Sequence, residues 1–155
     1  MFSKIRVSSR GLVINNGQIL LNKFNNGVYY NIPGGGVEPG ETAKEAVQRE
    51  VYEESGLMVR AEKLIFFFDY EPIRNKNSSG NIHHMSTVFM CRIIGDANID
   101  LTVPPELNPD DPTITGRAEW VKFDDIPNIN LVPEINKELY RLVSGRESET
   151  EYLIV

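Results

Sequence analysis

A run of three glycines followed by clustered acidic residues is the most chemically suggestive feature of the sequence. Gly34, Gly35 and Gly36 come first, and glycine lets a backbone pass close to another group with its amides and carbonyls uncovered. The glutamates that follow include Glu41, Glu45, Glu50, Glu53 and Glu54. Their oxygen atoms are potential ligands for a hard cation, provided that the fold turns them toward a common point.

Most of these glutamates belong to a predicted helix over residues 43–55. Helix-forming residues dominate this stretch, and Gly56 stands where a left-handed helix cap is expected. On a helical wheel the apolar residues form one arc, made of Ala43, Ala46, Val47 and Val51. Glu50 and Glu54 fall inside this arc and Glu53 on its border, whereas an ordinary amphipathic helix places its acids on the opposite face.

Acids on the apolar face of a helix are costly unless something neutralises them. Two half-buried carboxylates ~6 Å apart repel by about 3 kcal/mol at an effective dielectric constant near 20. A divalent cation removes this repulsion, and oxygen-only ligands suit Mg²⁺ or Mn²⁺. Without further information, a cluster of acids on a helix is more often a solvated face.

The arrangement around the helix resembles the signature of the Nudix hydrolase family. Gly35 is followed after five residues by Glu41, and after seven more by Arg49, which opens the segment at residues 49–57. The aliphatic positions of the family pattern are filled by Val51 and Leu57. So many specified positions within one window make a chance match improbable.

The resemblance implies roles for individual residues. Glu53 and Glu54 are expected to be the principal metal ligands, and Glu50 a further ligand or the base that activates water. The backbone carbonyl of Gly34 is also expected to bind metal. Glu41 is expected to reach a second metal ion or to orient the cluster.

Arg49 is expected to position the acids. It lies one helical turn from both Glu45 and Glu53, so an ion pair with Glu53 would hold that carboxylate in place.

The resemblance also implies the fold, an α/β/α sandwich in which a mixed, twisted sheet lies between helices. We expect one domain over residues 1–155, with a tail at 145–155 that is flexible or adds a strand. Predicted strands, read from apolar patterns and turn residues, cover residues 4–9, 12–15, 18–24, 28–32, 57–69, 82–94 and 117–123. Gly11 is expected to interrupt the first two. A second helix is predicted over residues 133–143, and substrate specificity is expected to reside in the loops 71–81 and 95–116.

Composition limits the partners. The net charge of -6 argues against binding nucleic acid polymers, which requires a basic face.

Cys91 is the single cysteine, so no intrachain disulfide can form, and a cytoplasmic location is expected. No apolar run approaches the length of a membrane span, and no membrane partner is expected. A homodimer is a common arrangement in the family.

Several other residues are weaker candidates for a catalytic or metal-binding role. The family often uses an additional acid from a distal loop, for which Glu119, Asp110 and Asp111 are possibilities. His83 and His84 are neighbours on a predicted strand and would point to opposite faces, so a shared metal role is disfavoured. One of them is expected to be partly buried and the other exposed.

The function expected from these observations is the Mg²⁺-dependent (or Mn²⁺-dependent) hydrolysis of a pyrophosphate bond. The substrate would be a nucleoside diphosphate linked to another group, such as a nucleoside triphosphate, ADP-ribose, a nucleotide sugar or a dinucleoside polyphosphate. The alternatives are a Nudix-fold module that binds such a ligand without cleaving it, and an acidic helix with a purely structural role. Sensor modules often lack one of Glu50, Glu53 and Glu54, and here all three are present.

Overall fold

The computed structural model describes residues 4–72, 82–145 and 149–155. Its strands are β1 (Ile5–Asn15), β2 (Gln18–Phe24), β3 (Tyr29–Asn31), β4 (Gly34–Gly36), β5 (Val59–Tyr70), β6 (His83–Ile93), β7 (Glu106–Leu107), β8 (Thr115–Lys122) and β9 (Glu151–Ile154). The helices are α1 (Ala43–Ser55) and α2 (Asn136–Val143), with short 3-10 segments at Asn25–Gly27 and Phe123–Asn128.

The strands form a mixed sheet in the order β7-β8-β2-β1-β6-β5-β9, with β3 on β2 and β4 on β1. β1 pairs parallel with β6, and β5 pairs parallel with β9. β4 pairs antiparallel with β1 and places Gly35 opposite Ser9. The glycine run is therefore a short strand fixed to the long strand β1, rather than a free loop.

Two apolar clusters fill the core. One contains Val47 and Val51 of α1, packed with Leu57 and Phe89. The other contains Leu139 of α2, packed with core residues of the sheet. A helix on each side of a mixed sheet is the expected α/β/α arrangement, and this prediction is confirmed.

Local signals explain the position of α1. The Thr42 side chain accepts a hydrogen bond from the backbone N–H of Glu45, whose carboxylate accepts one in return from the N–H of Thr42. This capping box fixes the first turn. Gly56 ends the helix in the left-handed conformation with φ 76°, as its sequence position predicted.

The expected break at Gly11 is wrong, because β1 runs through it without interruption. Gly11 is needed there for packing: a Cβ atom would stand 2.9 Å from Cγ2 of Val47 and 3.2 Å from Cγ2 of Val51. The absence of a side chain thus lets α1 approach the sheet closely.

The C-terminal elements also differ from expectation. α2 begins at Asn136 rather than residue 133, because the preceding Ile135 has a non-helical backbone (φ -121°, ψ 26°). Of the two possibilities for the tail, the added strand is found: β9 pairs with β5, with Leu153 opposite Phe68.

Residues 73–81 of the loop predicted at 71–81 lie outside the described residues. Among the residues that are described, no helix is long and apolar enough to cross a membrane.

Candidate active site

A cavity of about 260 Å³ lies between the glycine strand β4, helix α1 and the segment around β7. Its described lining residues are Arg6, Asn22, Gly34, Gly35, Gly36, Glu50, Glu53, Glu54, Pro104, Glu106 and Gly116. The structure therefore brings the predicted glutamates of α1 together with the three glycines.

The glutamates of α1 differ in exposure as the helical wheel predicted. The side chain of Glu50 is 18% exposed, whereas that of Glu53 on the border of the apolar arc is 55% exposed. Glu54 is the most deeply placed, and its Oε2 accepts a hydrogen bond from the backbone N–H of Gly34 at 2.9 Å.

The glycines make room for the carboxylates. A Cβ atom on Gly35 would stand only 2.5 Å from Oε1 of Glu50, so a side chain there is incompatible with the position of Glu50. A Cβ on Gly34 would approach the backbone oxygen of Ser9 to 2.3 Å. Gly35 is therefore required by the contact with Glu50, and Gly34 by the close pairing of β4 with β1.

Arg49 donates hydrogen bonds to three of the glutamates at once. Its Nε and Nη2 donate to the two oxygens of Glu41 at 3.1 and 2.7 Å, in a bidentate pair. Nη1 donates to Glu50 at 2.9 Å and to Glu53 at 3.3 Å, and Nη2 also reaches the carbonyl of Gly36 at 3.1 Å. The predicted contact with Glu53 is present. The carboxylate of Glu45, which lies one helical turn from Arg49, belongs to the helix cap. Glu41 is the residue that pairs with Arg49 in its place.

An acid from β7 completes the cluster, and sequence reasoning did not find it. Glu106 lies beside Glu54, and the side-chain amide of Asn22 donates to both carboxylates, at 2.9 and 3.2 Å. Asn22 is 1% exposed. Glu106 sits in the long segment expected to carry a distal acid, but nothing in its local sequence separates it from the other acids there.

The neighbouring acids perturb each other's protonation. The pKa of Glu54 is raised well above its ordinary value, first by burial and then by the charge of Glu106. Burial also raises the pKa of Glu106. Arg10 offsets only part of this effect. Its guanidinium is buried, donates to the carbonyl of Ile32 at 2.7 Å, and favours ionisation of both glutamates.

The three acids considered from sequence lie outside the cavity. Glu119 is half-exposed and forms an ion pair with Lys23 at 3.5 Å. Asp111 accepts hydrogen bonds from Thr113 in an exposed turn, and the N–H of Asp110 donates to Asn108 in the same turn.

The two histidines are both half-buried, so the expectation of one exposed histidine is wrong. His83 contacts Asp69, with 2.6 Å between Nε2 and Oδ1. The ring of His84 lies 6.1 Å from that of Tyr70. The second contact explains why His84 is covered, since a neighbouring strand supplies an aromatic ring.

The donor set fits a divalent cation by its chemistry. Among residues 4–72, 82–145 and 149–155, no three His, Cys, Asp or Glu side chains already converge as a chelating group. The acids are held instead by Arg49, Asn22 and the N–H of Gly34. Even so, the buried Glu54 and Glu106 carry raised pKa values that a cation would relieve, and all available donors are oxygens.

Comparisons with known proteins identify the family. The family model described as the NUDIX domain matches residues 5–143. The chain is 31% identical over 125 residues to an RNA pyrophosphohydrolase of Erythrobacter litoralis, covering 74% of this chain and 70% of the relative. It is 34% identical over 137 residues to the nucleoside triphosphatase NudI of Klebsiella pneumoniae, covering 77% and 84%. An ADP-ribose pyrophosphatase of Methanocaldococcus jannaschii is 36% identical over 92 residues, covering 57% and 52%.

Solved structures show the same fold. A NUDIX hydrolase from Nitrosomonas europaea aligns with a TM-score of 0.68 at 18% identity, covering 100% of this chain and 81% of that one. An ADP-ribose pyrophosphatase from Streptococcus suis aligns with a TM-score of 0.62 at 23% identity, covering 97% and 98%. Signature, fold and family match together establish that this chain belongs to the Nudix family and is an enzyme of the pyrophosphohydrolase class.

Proposed function

We propose that this enzyme hydrolyses a pyrophosphate bond in a nucleoside diphosphate derivative with the help of Mg²⁺ or Mn²⁺. The observation that carries the proposal is the meeting of Glu50, Glu54 and Glu106 at the glycine strand, in a cavity large enough for a phosphate chain. Arg10 compensates only part of the burial of Glu54 and Glu106, and a divalent cation beside them would stabilise their ionised form.

The proposal gives each residue of the site a role. Glu53 and Glu54, with the carbonyl of Gly34, are the proposed metal ligands, and Glu106 extends this set from the opposite side of the cavity. Glu50, which packs against Gly35, is a further ligand or the base that takes a proton from water.

Two residues act through the acids. Arg49 positions Glu50 and Glu53, and Glu41 in turn fixes Arg49. A bound divalent cation would polarise the phosphoryl oxygens and lower the pKa of the attacking water.

The substrate class is narrowed by the relatives. Their names cover a nucleoside triphosphatase, an ADP-ribose pyrophosphatase and an RNA pyrophosphohydrolase. A nucleotide-sized substrate is favoured over an RNA chain, because the net charge of -6 opposes binding along a phosphate backbone.

The test is a substrate panel with product identification. The panel holds nucleoside triphosphates, ADP-ribose, nucleotide sugars, dinucleoside polyphosphates and a 5′-triphosphorylated RNA, each with Mg²⁺ and with excess chelator. We expect Mg²⁺-dependent cleavage of a nucleotide and its loss in Glu53→Gln. Metal-independent cleavage, or no cleavage of any member by the wild type, would contradict the proposal.

We also propose a cytoplasmic setting. Cys91 is buried, and burial raises the pKa of its thiol to about 12, which suits a chain that works without disulfides in the cytoplasm. A homodimer is proposed from the family resemblance alone, and size-exclusion chromatography with light scattering tests it.

A further inference from the structure

A row of polar side chains lies at one end of the active-site cavity. Arg6 on β1 is paired in register with His84 on β6, and His84 is paired with Tyr70 on β5. Residues paired in this way present their side chains on the same face of a sheet. Because Arg6 also lines the cavity, the row opens toward the glutamates.

Arg6 is the only basic residue among the described residues that line this cavity. It is exposed, and no described residue forms a hydrogen bond or an ion pair with its guanidinium. Arg49, by contrast, is held by Glu41, Glu50 and Glu53. Of these two arginines at the glycine strand, Arg6 is therefore the one available to an anionic ligand.

The two residues that share this row with Arg6, His84 and Tyr70, carry no negative charge. Burial lowers the pKa of His84, and the charges of Arg6 and Arg10 lower it further. The hydroxyl oxygen of Tyr70 is buried and has no hydrogen-bond partner among the described residues. The Arg6 guanidinium and the Tyr70 hydroxyl are donors that have no acceptor among the described residues, and such donors suit a ligand that is rich in acceptor oxygens.

Strand β4 runs from the end of the cavity that holds Glu54 and Glu50 to the end that holds Arg6. The N–H of Gly34 bonds Glu54, and Gly35 packs against Glu50. At Gly36 the neighbour is Arg6, whose Nη2 is 3.6 Å from the place of a Cβ atom. Two residues of strand span about 7 Å, so a single phosphate group does not bridge the two ends, whereas a chain of phosphates does.

We propose that Arg6, with His84 beside it, binds the terminal phosphate of a polyphosphate substrate while an inner phosphoryl group lies at Glu50 and Glu54. The proposal rests on the proposed function and narrows it. A free terminal phosphate carries about two negative charges near neutral pH, whereas a phosphate that is esterified on both sides carries one. The enzyme therefore prefers a nucleoside triphosphate to a nucleoside diphosphate sugar.

The decisive experiment compares two substrates that share a nucleoside. For Arg6→Gln we expect kcat/KM for the nucleoside triphosphate to fall at least about tenfold, chiefly through KM, because a charge-assisted hydrogen bond is lost. For the nucleoside diphosphate sugar we expect a much smaller change. Arg6→Lys should recover part of the loss, since lysine keeps the charge. An equal loss for both substrates, or no loss for the triphosphate, would overturn the proposal.

Arg92→Gln is the matched control, because Arg92 is exposed on β6, is not among the residues that line the cavity, and pairs with Glu62 at 3.4 Å. It should leave both substrates unaffected. Thermal unfolding of Arg6→Gln verifies that the variant folds.

A binding measurement separates this subsite from the proposed activity. Inorganic tripolyphosphate with Mg²⁺ is titrated calorimetrically into the wild type and into Arg6→Gln. Weaker binding by about tenfold in the variant supports the subsite even if no substrate in the panel is cleaved. Equal affinities would refute it, whatever the fate of the hydrolase proposal.

Discussion

Glu106 lies beside Glu54 in the folded protein, and the amide of Asn22 donates a hydrogen bond to each of their carboxylates. The two acids are far apart in sequence and are joined only because β7 pairs with β8 and β8 with β2, which carries Asn22. A buried pair of acids with one shared neutral donor is under-compensated in charge. The metal site proposed for α1 therefore gains a partner from β7, the strand at the end of the sheet order.

Replacing Glu106 by glutamine should raise stability while lowering activity. Glu106→Gln removes the charge that raises the pKa of Glu54, so we expect the metal-free protein to gain about 1 kcal/mol at neutral pH, or roughly 2–4 °C in Tm. Activity should fall at least about tenfold, as is usual when groups around a metal are altered. Thermal melts in chelator and steady-state kinetics measure the two effects.

Glu119→Gln is the control for that variant. Glu119 is half-exposed and its ion pair with Lys23 is at the surface, so both Tm and activity should stay close to wild type. If Glu119→Gln lost activity and Glu106→Gln did not, the distal acid of the site would be Glu119 and not Glu106.

Stabilisation by metal should grow with pH. The folded-state pKa of Glu54 lies above its ordinary value of 4.5, so the proton contributes stability that is complete below that value and is lost as pH rises through the raised pKa. Mg²⁺ binds the deprotonated acids. The rise in Tm on adding Mg²⁺ should therefore be larger at about pH 8.5 than at about pH 5.5. Equal shifts at both pH values would show that these carboxyls do not bind the metal.

A methyl group on Gly35 should impair catalysis more than folding. In Gly35→Ala the new Cβ would stand 2.5 Å from the Glu50 carboxylate and push it away. We expect kcat to fall by about a hundredfold, since small displacements of a reacting group have effects of that size.

Gly36→Ala is the corresponding control for Gly35→Ala. Its Cβ would meet Arg6 only at an ordinary contact distance of 3.6 Å. Comparable losses of kcat in the two variants would argue against a special role for the contact between Gly35 and Glu50.

Arg49→Lys should disable the enzyme although it preserves the charge. A lysine cannot reproduce the bidentate pair with Glu41 while also reaching Glu50 and Glu53. We expect activity to fall by about 10–100-fold, in the range known for residues that orient metal ligands. The fold should persist in circular dichroism. Activity within twofold of wild type would mean that the acids do not need Arg49 to hold them.

The sequence contained enough information to predict α1 and its acids. Thr42, Glu45 and Gly56 act within a few residues of the helix, and the helical period alone placed Glu54 toward the interior. Local signals of this kind depend on backbone geometry that the neighbouring residues largely determine.

Features that depend on long-range packing were not predictable in the same way. β7 is a strand of two residues that exists only through its pairing with β8, so no periodic pattern marks Glu106. A glycine within a strand pattern predicts a break, but Gly11 instead makes room for Val47. This role depends on how α1 packs on the sheet, which local sequence does not specify. The row formed by Arg6 and His84 likewise depends on the parallel register of β1 and β6.

Direct measurement of Mn²⁺ binding tests the central claim, that the acids of α1 are turned inward to hold a divalent cation. Electron paramagnetic resonance would follow Mn²⁺ titrated into the wild type, Glu53→Gln and Glu119→Gln, each with and without a non-hydrolysable nucleotide. We predict a bound Mn²⁺ in the wild type and in Glu119→Gln, with affinity at least about tenfold lower in Glu53→Gln. Equal Mn²⁺ affinity in all three proteins, or no binding to the wild type even with the nucleotide present, would contradict the account.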